Sequence, residues 1–448
     1  MAAAPVWSVD PRTGKQREQV AVEATAEEVD QAVQAARAAA PALADRAVRA
    51  AFLRGAAGLL DEAKDHLVEA ADAETALGPV RLTGELARTC FQLRAFADIV
   101  DEGAFLGVVI DHPDASASVL RRAAARHGIP EGVVGLVHGF DAGVELVGHP
   151  LVAGAGFTGS IRGGRALFDA AAARPVPIPF HGELGSLNPV VVTEAAATER
   201  GEEIGGGLAG SMTLGVGQFC VKPGLVLAPE GAGGDRLVKS LTEAVSDTEA
   251  GVLLDHRMRD DFVAGVRARA GLRDVSAPVT PGAGGEHTVS AGFFTVPAAR
   301  LAGGGEHDLL LEECFGPVTV VARYRDDAEI TAVLSRLPGN LTATVQLSSD
   351  EAAGVSPRGA ALIAEVTPLA GRVLVDGWPT GVAVAPAQHH GGPYPATTST
   401  STSVGGTAIE RWLRPVAYQS TPEPLLPPEL RDANPLGLPR RVDGRLEH

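Results

Sequence analysis

VVGLVHGFDAGVELVGHPLVAGAGFTGSIRGGRALFDAAAARPVPIPFHGELG, residues 133–185, decides the fold class. Apolar runs at 133–139, 151–160 and 177–185 read as strands. AGVELVG and RGGRALFDAAAA between them carry helical spacing. Strands and helices that alternate through short turns imply βα units and a parallel sheet, so the class is α/β. A helix-like RRAAARHG (121–128) precedes the run. Beyond it the alternation continues: a helix through about 198–214, a Gly-rich loop at 215–224, and strands at GLVLAP, PVTVVARY (317–324), LTATVQL (341–347) and GRVLVDG (371–377). Residues 25–102 read as helices, opened by Thr25 and Glu28 in capping-box spacing. FLGVVID (105–111) is a short β-branched run, and HPDASAS after it a turn. GAGGEH (282–287) and GGGEH (303–307) read as surface loops. Residues 385–405 form a Gly/Pro/Ser/Thr-rich loop, and AIERWLRPVAYQS a short helix running into an edge strand.

The 448 residues suffice for two or three domains at roughly 100–200 residues each. With 45% hydrophobic and 21% charged residues the chain is an ordinary globular one, which excludes wholesale disorder. A net charge of −17 with no basic cluster argues against a nucleic-acid partner. Three widely spaced cysteines, Cys90, Cys220 and Cys314, exclude a cysteine-based zinc site and suit a reducing compartment, hence a cytoplasmic protein. No secretory leader is visible, and the longest uncharged stretches are broken by Gly, Pro, Ser and Thr, so no membrane span is expected. No metal site is expected either: His389 and His390 sit on the Gly-rich loop without ligand spacing and read as loop residues.

Cys220 lies in LGVGQFCVKPG, a turn rich in glycine where free amides can activate a thiol and bind an oxyanion. The alternative is a small core residue, the reading that also suits Cys90 and Cys314. Glu183 ends a strand in HGELGSLNP, a place where a half-buried carboxylate can serve as general base, or can simply occupy a turn. Gly154-Ala155-Gly156-Phe157-Thr158-Gly159 matches GxGxxG between a strand and a helix. Its first glycines fall within the strand, and no acidic residue about 20 positions on completes the dinucleotide pattern.

GFTGS (156–160), GELGSLNP (182–189), GQFCVKPG (217–224), EECFGP (312–317) and GWPTGV (377–382) occur in this order across most of the chain. Together they resemble the signatures of the aldehyde dehydrogenase superfamily. The texture around TGELARTCFQLRAFADIVDEG and HHGGPYPATTSTSTSVGG is similar to its α-ketoglutaric semialdehyde (2,5-dioxopentanoate) dehydrogenase branch. The resemblance implies an aldehyde dehydrogenase-like α/β fold with three parts. These are a helical region and Rossmann-type cofactor domain over 1–195, a catalytic domain over 196–405, and an oligomerisation strand and Pro-rich tail over 406–448. It implies NADP or NAD as cofactor, an aldehyde substrate, and a homodimer or homotetramer. Cys220 would be the nucleophile and Glu183 the base for water. Glu313 and Phe315 would hold the nicotinamide ribose, and Gly159 and Ser160 would face the pyrophosphate.

One departure accompanies the resemblance. Between VVIDHPD (108–114) and RHGIPEGVVGLVHG (126–139) the family carries further βα units, about two of some 15–30 residues each. These bear an Asn-Phe-Pro segment, whose Asn amide completes the oxyanion hole, and a lysine for the adenosine ribose. Here only ASASVLRRAAA joins the two segments, no Asn-Phe-Pro exists, and none of the four lysines (Lys15, Lys64, Lys222, Lys239) has a matching context. A cofactor domain so reduced implies weakened or lost dinucleotide binding. Two other readings therefore stand beside NAD(P)-dependent aldehyde oxidation: a cofactor-independent Cys220 esterase, thioesterase or acyl-transfer protein, and a catalytically impaired scaffold.

Overall fold

A computed structural model of the chain describes residues 4–102, 114–379, 381–385, 387–437, 440–443 and 445–447. An antiparallel hairpin comes first, β1 (Pro5–Asp10) on β2 (Lys15–Val22). Its irregular register and largely exposed side chains leave no clean alternation, so the sequence does not announce it. Four helices follow as expected: α1 (Ala26–Ala39), α2 (Arg46–Glu62), α3 (Lys64–Thr75) and α4 (Pro79–Glu102). The Glu28 amide donates to the Thr25 hydroxyl at 3.2 Å, and the Thr25 amide to the Glu28 carboxylate at 2.8 Å, closing the capping box. Leu53, Ala57 and Leu60 of α2 bury against Cys90, Leu93 and Ala97 of α4, small residues letting the helices approach. A further helix, α5 (Asp114–Arg126), begins inside the stretch expected to be a turn. The run at 105–111 lies outside the described residues.

Next come α6 (Phe140–Gly148), β3 (Ala155–Thr158), α7 (Ile161–Ala172) and β4 (Phe180–Glu183). β3 and β4 pair in parallel, from Ala155 opposite Phe180 to Thr158 opposite Glu183, as a two-stranded sheet of their own. The strand expected at 133–139 does not form. A short 3₁₀ turn occupies Glu131–Val133, and the extended residues after it lie against α1, where the Ala35 carbonyl fills the space of a Gly132 side chain. Arg121 donates to the Val134 carbonyl and the Ala24 amide to that of His138, bonds a neighbouring strand would otherwise make.

The rest of the chain builds a larger sheet. In order it runs β5 (Val190–Val192), α8 (Glu194–Thr213), β6 (Leu225–Pro229), α9 (Ala232–Ser246), β7 (Gly251–Val252) and α10 (His256–Ala270). β8 (Ser276–Val279), β9 (Gly282–Ala283), β10 (Thr288–Ser290), β11 (Gly292–Pro297), α11 (Ala298–Gly303) and β12 (Val318–Tyr324) follow. Last come α12 (Asp327–Leu334), β13 (Asn340–Gln346), α13 (Ser349–Ala352), α14 (Arg358–Val366) and β14 (Ala370–Val375). Seven strands order as β14-β13-β5-β6-β12-β11-β8, parallel except for the edge strand β8.

Successive residues of β6 explain why these strands read as unbroken apolar runs. Leu225 and Leu227 join a core with Phe262, Leu301 and Val366, while Val226 and Ala228 join Ile204, Leu208 and Leu237 on the opposite face. Helices cover both faces, so β6 keeps no polar position, while β13 buries Asn340, Thr342, Thr344 and Gln346 among its apolar residues. Each apolar side chain so buried contributes about 1.5–3 kcal/mol.

The loop at 385–405 lies along β4: the Leu184 amide donates to the Ala396 carbonyl at 2.8 Å, and the Thr398 amide to that of Gly182 at 3.1 Å. After a 3₁₀ helix over Gly406–Trp412, the expected edge strand near VAYQS is not formed within the single chain. Residues 413–419 pair with no strand among the described residues, and Val416 and Tyr418 are exposed. Among the described residues no helix is long and apolar enough to cross a membrane.

Candidate active site

The candidate side chains converge where the carboxyl ends of β3 and β4 meet the amino ends of β5, β6, β12, β13 and β14. Cys220 stands on the turn between α8 and β6. Gly215, Val216 and Gly217 all take positive φ there, ending the helix and reversing the chain. Gly217 is required twice over: its φ is +68°, and a Cβ would lie 2.3 Å from the Gly316 carbonyl. The Cys220 turn therefore packs directly on the 312–317 segment that carries Glu313 and Phe315. Lys222 joins the same two segments from below, its buried ammonium donating to the carbonyls of Cys314 (3.2 Å) and Val318 (2.6 Å).

Asn188 fixes the turn to the sheet. Its amide donates to the carbonyls of Cys220 (2.8 Å) and Lys222 (3.0 Å), while its oxygen accepts from Ser186 Oγ (2.7 Å) and from the Thr342 amide (3.2 Å) and hydroxyl (3.1 Å). It is fully buried at a φ of +52°, which asparagine tolerates better than most residues. Asn188→Ala leaves these groups unpaired at a strained backbone position. It should cost about 3 kcal/mol or more, read as a lowered midpoint of denaturant unfolding. Sequence reading quoted Asn188 within GELGSLNP and assigned it nothing.

The Cys220 sulfur remains open to solvent, yet protein crowds it on its other sides. That partial burial, with the Glu183 carboxylate nearby, pushes the thiol up to about 11, opposed by its own amide and by Arg372. At neutral pH the resting group is a thiol. The His390 ring lies beside it, with Nε2 at 3.7 Å from Sγ. The same nitrogen is 4.0 Å from Glu183 Oε2. Burial raises the Glu183 carboxyl above the usual carboxylate range, although Arg411 Nη1 stands 2.7 Å from Oε1 and works the other way. The Arg411 contact is mainly a charge pair, and the Ser403 side chain also favours the ionised carboxyl.

His390 and Arg411 are the residues that sequence reading missed. His390 belongs to the loop, as expected, but that loop folds back to place its ring between the thiol and the carboxylate. Arg411 sits in the 3₁₀ helix beyond it and is anchored by two bonds to the Ser401 carbonyl.

The remaining expected residues lie beside this group. The Gly159 amide donates to the Glu183 carbonyl at 3.1 Å, and Ser160 caps α7, its hydroxyl accepting from the Gly163 amide at 3.2 Å. Gly154 and Gly156 instead make room for Trp412, whose ring carbons lie 3.0 and 3.7 Å from where their Cβ atoms would be. The Glu313 carboxylate leans over Gly185, with Oε2 only 2.6 Å from the position of an added Cβ, and Ile161 at the start of α7 borders the same space. Burial drives Glu313 up to about 7 against the pull of Lys222 and the Ser186 amide. Phe315 is half-buried on the same segment. The N-terminus of α7, capped by Ser160, lies beside this cradle, an arrangement that fits the pyrophosphate and nicotinamide-ribose portions of a dinucleotide. Toward an adenosine portion, the described sheet has two strands.

The aldehyde dehydrogenase family model matches residues 2–121 and 110–358, in two pieces that meet where the sequence is shortened. Alpha-ketoglutaric semialdehyde dehydrogenase 2 of Azospirillum brasilense is 38% identical over 470 aligned residues, covering 90% of this chain and 88% of its own length. The alpha-ketoglutaric semialdehyde dehydrogenase of Acinetobacter baylyi is 34% identical, covering 95% of this chain and 92% of its own. Among solved structures, a 1-pyrroline-5-carboxylate dehydrogenase from Thermus with bound NAD superposes with a TM-score of 0.75 at 18% identity. The match spans 91% of this chain and 88% of that one, a likeness of fold. On these matches over most of its length, the chain belongs to the aldehyde dehydrogenase family, oxidoreductases that act on aldehydes with NAD or NADP.

Proposed function

We propose that the chain oxidises a short aldehyde carrying a distal carboxylate, 2,5-dioxopentanoate being the first candidate, to the corresponding diacid. Cys220 is the nucleophile and Glu183 the base. Residues 1–195 serve the cofactor, 196–405 carry the thiol, and 406–448 serve assembly. The observation that carries this reading is the convergence of Arg88 from α4 and Arg372 from β14, whose charges act at His390, next to the thiol, beyond Arg411, whose charge Glu183 answers. That cluster favours an anionic substrate. Both semialdehyde dehydrogenase relatives act, by name, on such a molecule. Nothing among the relatives favours a cofactor-independent hydrolase or a scaffold.

In this reading the Cys220 sulfur adds to the carbonyl carbon and the oxygen takes up the electron pair, giving a thiohemiacetal. NAD or NADP, when bound, accepts the hydride that turns this adduct into a thioester. Gly159, Ser160, Glu313 and Phe315 would hold it. Glu183 then takes a proton from water, whose oxygen displaces the sulfur and releases the acid. Overall, aldehyde, water and oxidised cofactor become acid, reduced cofactor and a proton.

Mixing the protein with 2,5-dioxopentanoate and NADP or NAD should generate reduced cofactor. An uncharged aldehyde of similar length should give a kcat/KM at least about tenfold lower, the effect of ~1.4 kcal/mol of charge recognition. No reduced cofactor at high protein concentration, with either dinucleotide, would sink the reading. The exposed Val416–Tyr418 segment supports assembly into a dimer or tetramer, and three free thiols support a cytoplasmic setting.

A further inference from the structure

We infer that His390 is a catalytic residue that carries the Cys220 proton to Glu183, on the strength of one ring nitrogen standing near both groups. This rests on the assignment of Cys220 as nucleophile. Nε2 lies 3.7 Å from the sulfur, within hydrogen-bond reach of a thiol, and 4.0 Å from Glu183 Oε2, a gap that one water or a small turn of the ring spans. The loop holds the residue from both sides: the His390 amide donates to Thr402 Oγ1 at 2.9 Å, and the Ser403 amide donates to the His390 carbonyl at 2.8 Å. Arg411 in turn holds Glu183 from its other oxygen.

With Nδ1 carrying the ring hydrogen, the Nε2 lone pair accepts the thiol proton. The S–H bond breaks with its electrons left on sulfur, and an N–H bond forms. That N–H bond then breaks and an O–H bond forms at Oε2, leaving a thiolate, a neutral imidazole and a carboxylic acid. Glu183 loses this proton to solvent before it serves water in the second half-reaction.

The surroundings suit a carrier rather than a store. Burial is the main influence on His390, and the charges of Arg372 from β14, Arg88 from α4, Arg411 from the 3₁₀ helix and His389 from its own loop add to it. Together they bring its ring down to about 4, so an imidazolium forms only in passing. Glu183, held above its ordinary range by burial, is a fit terminus for the proton. Its neutralisation also removes the negative charge that disfavours the thiolate, leaving Glu313 as the carboxylate opposing ionisation and Arg372 supporting it.

The test is the rate at which iodoacetamide alkylates Cys220, followed against pH in the full chain. In His390→Ala the rate at pH ~7 should fall about 100-fold, the usual contribution of a positioned base. It should rejoin the wild-type curve in alkali, where the thiol ionises unaided, and added imidazole should restore much of the loss. His390→Gln, which keeps polarity and most of the volume, should behave like the alanine variant without rescue, and His389→Gln like wild type. Superimposed profiles for wild type and His390→Gln would overturn the inference. So would a loss equal at every pH and untouched by imidazole, since that marks a structural role. If Cys220→Ala retains aldehyde turnover, the assignment of the nucleophile fails whatever the His390 profiles show. If Cys220→Ala abolishes turnover while the profiles coincide, the His390 relay alone fails.

Discussion

Cys220→Ala should lower kcat/KM for aldehyde oxidation by about 10⁴-fold or more, while the thermal midpoint stays at the wild-type value. The two halves of this expectation have separate causes. Covalent addition needs the sulfur, and the neighbouring groups do not replace it: His390 is a weak base here, and the Lys222 ammonium is buried and bonded to two carbonyls. The fold does not need it. The side chain is open to solvent, and what anchors residue 220 is its backbone carbonyl, held by Asn188 at 2.8 Å. Alanine keeps that carbonyl. Cys90→Ala should show the converse, intact chemistry with a stability cost of about 1–3 kcal/mol, because its thiol is buried among the apolar side chains of α2 and α4 and bonds Asp61. Initial rates of cofactor reduction beside melting curves would separate the two. A Cys220→Ala protein that turns over at even a hundredth of the wild-type rate would remove the sulfur from the mechanism.

Much of this site could be read from the chain because the information is local. Cys220 announces itself by the glycines and proline that force its turn, and Glu183 by ending an apolar strand. Strands β6, β12, β13 and β14 were legible from their apolar, β-branched composition, whereas the three-residue β5 and the strand β11 were not read. His390, Arg411 and Arg88 were not legible either. His390 is 170 residues from Cys220 and Arg88 lies on a helix of the first 102, so only tertiary folding brings them together. A loop of Gly, Pro, Ser and Thr gives no periodicity from which its path could be inferred, and its course along β4 follows from hydrogen bonds to Gly182 and Leu184. The reverse error occurred at 133–139. VVGLVHG has strand composition, but a strand needs a neighbour, and with part of the sheet missing from the sequence the run lies against α1 instead.

Glu183→Gln should reduce the reaction to a single event: about one reduced cofactor per subunit, formed slowly, and then turnover at a rate ~10²–10⁴ lower than wild type. The thioester forms but water is no longer activated, and the slow first event follows from the loss of the proton's terminus beyond His390. The pH dependence carries the sign. Burial outweighs Arg411 and lifts the Glu183 carboxyl above its ordinary 4.5, so the base is ionised only above that raised value. Wild-type turnover should therefore decline with acid at a higher pH than an exposed glutamate would give, and the Gln variant should lack that limb. The same shift bears on stability. Because the folded chain binds this proton more tightly than the unfolded one, Glu183 contributes stability below about pH 4.5 that is lost as pH rises through the raised value. Gln resembles the protonated acid and still offers Arg411 an oxygen. The Gln variant should thus gain in melting temperature relative to wild type as pH goes from 4 toward 8, while its turnover stays lost. A structural glutamate would show the opposite trend, because removing its charge would cost most where it is ionised and paired with Arg411. Melting curves of the two proteins across that range, set beside burst amplitudes, distinguish a base kept reactive by burial from an ion pair that merely holds the loop.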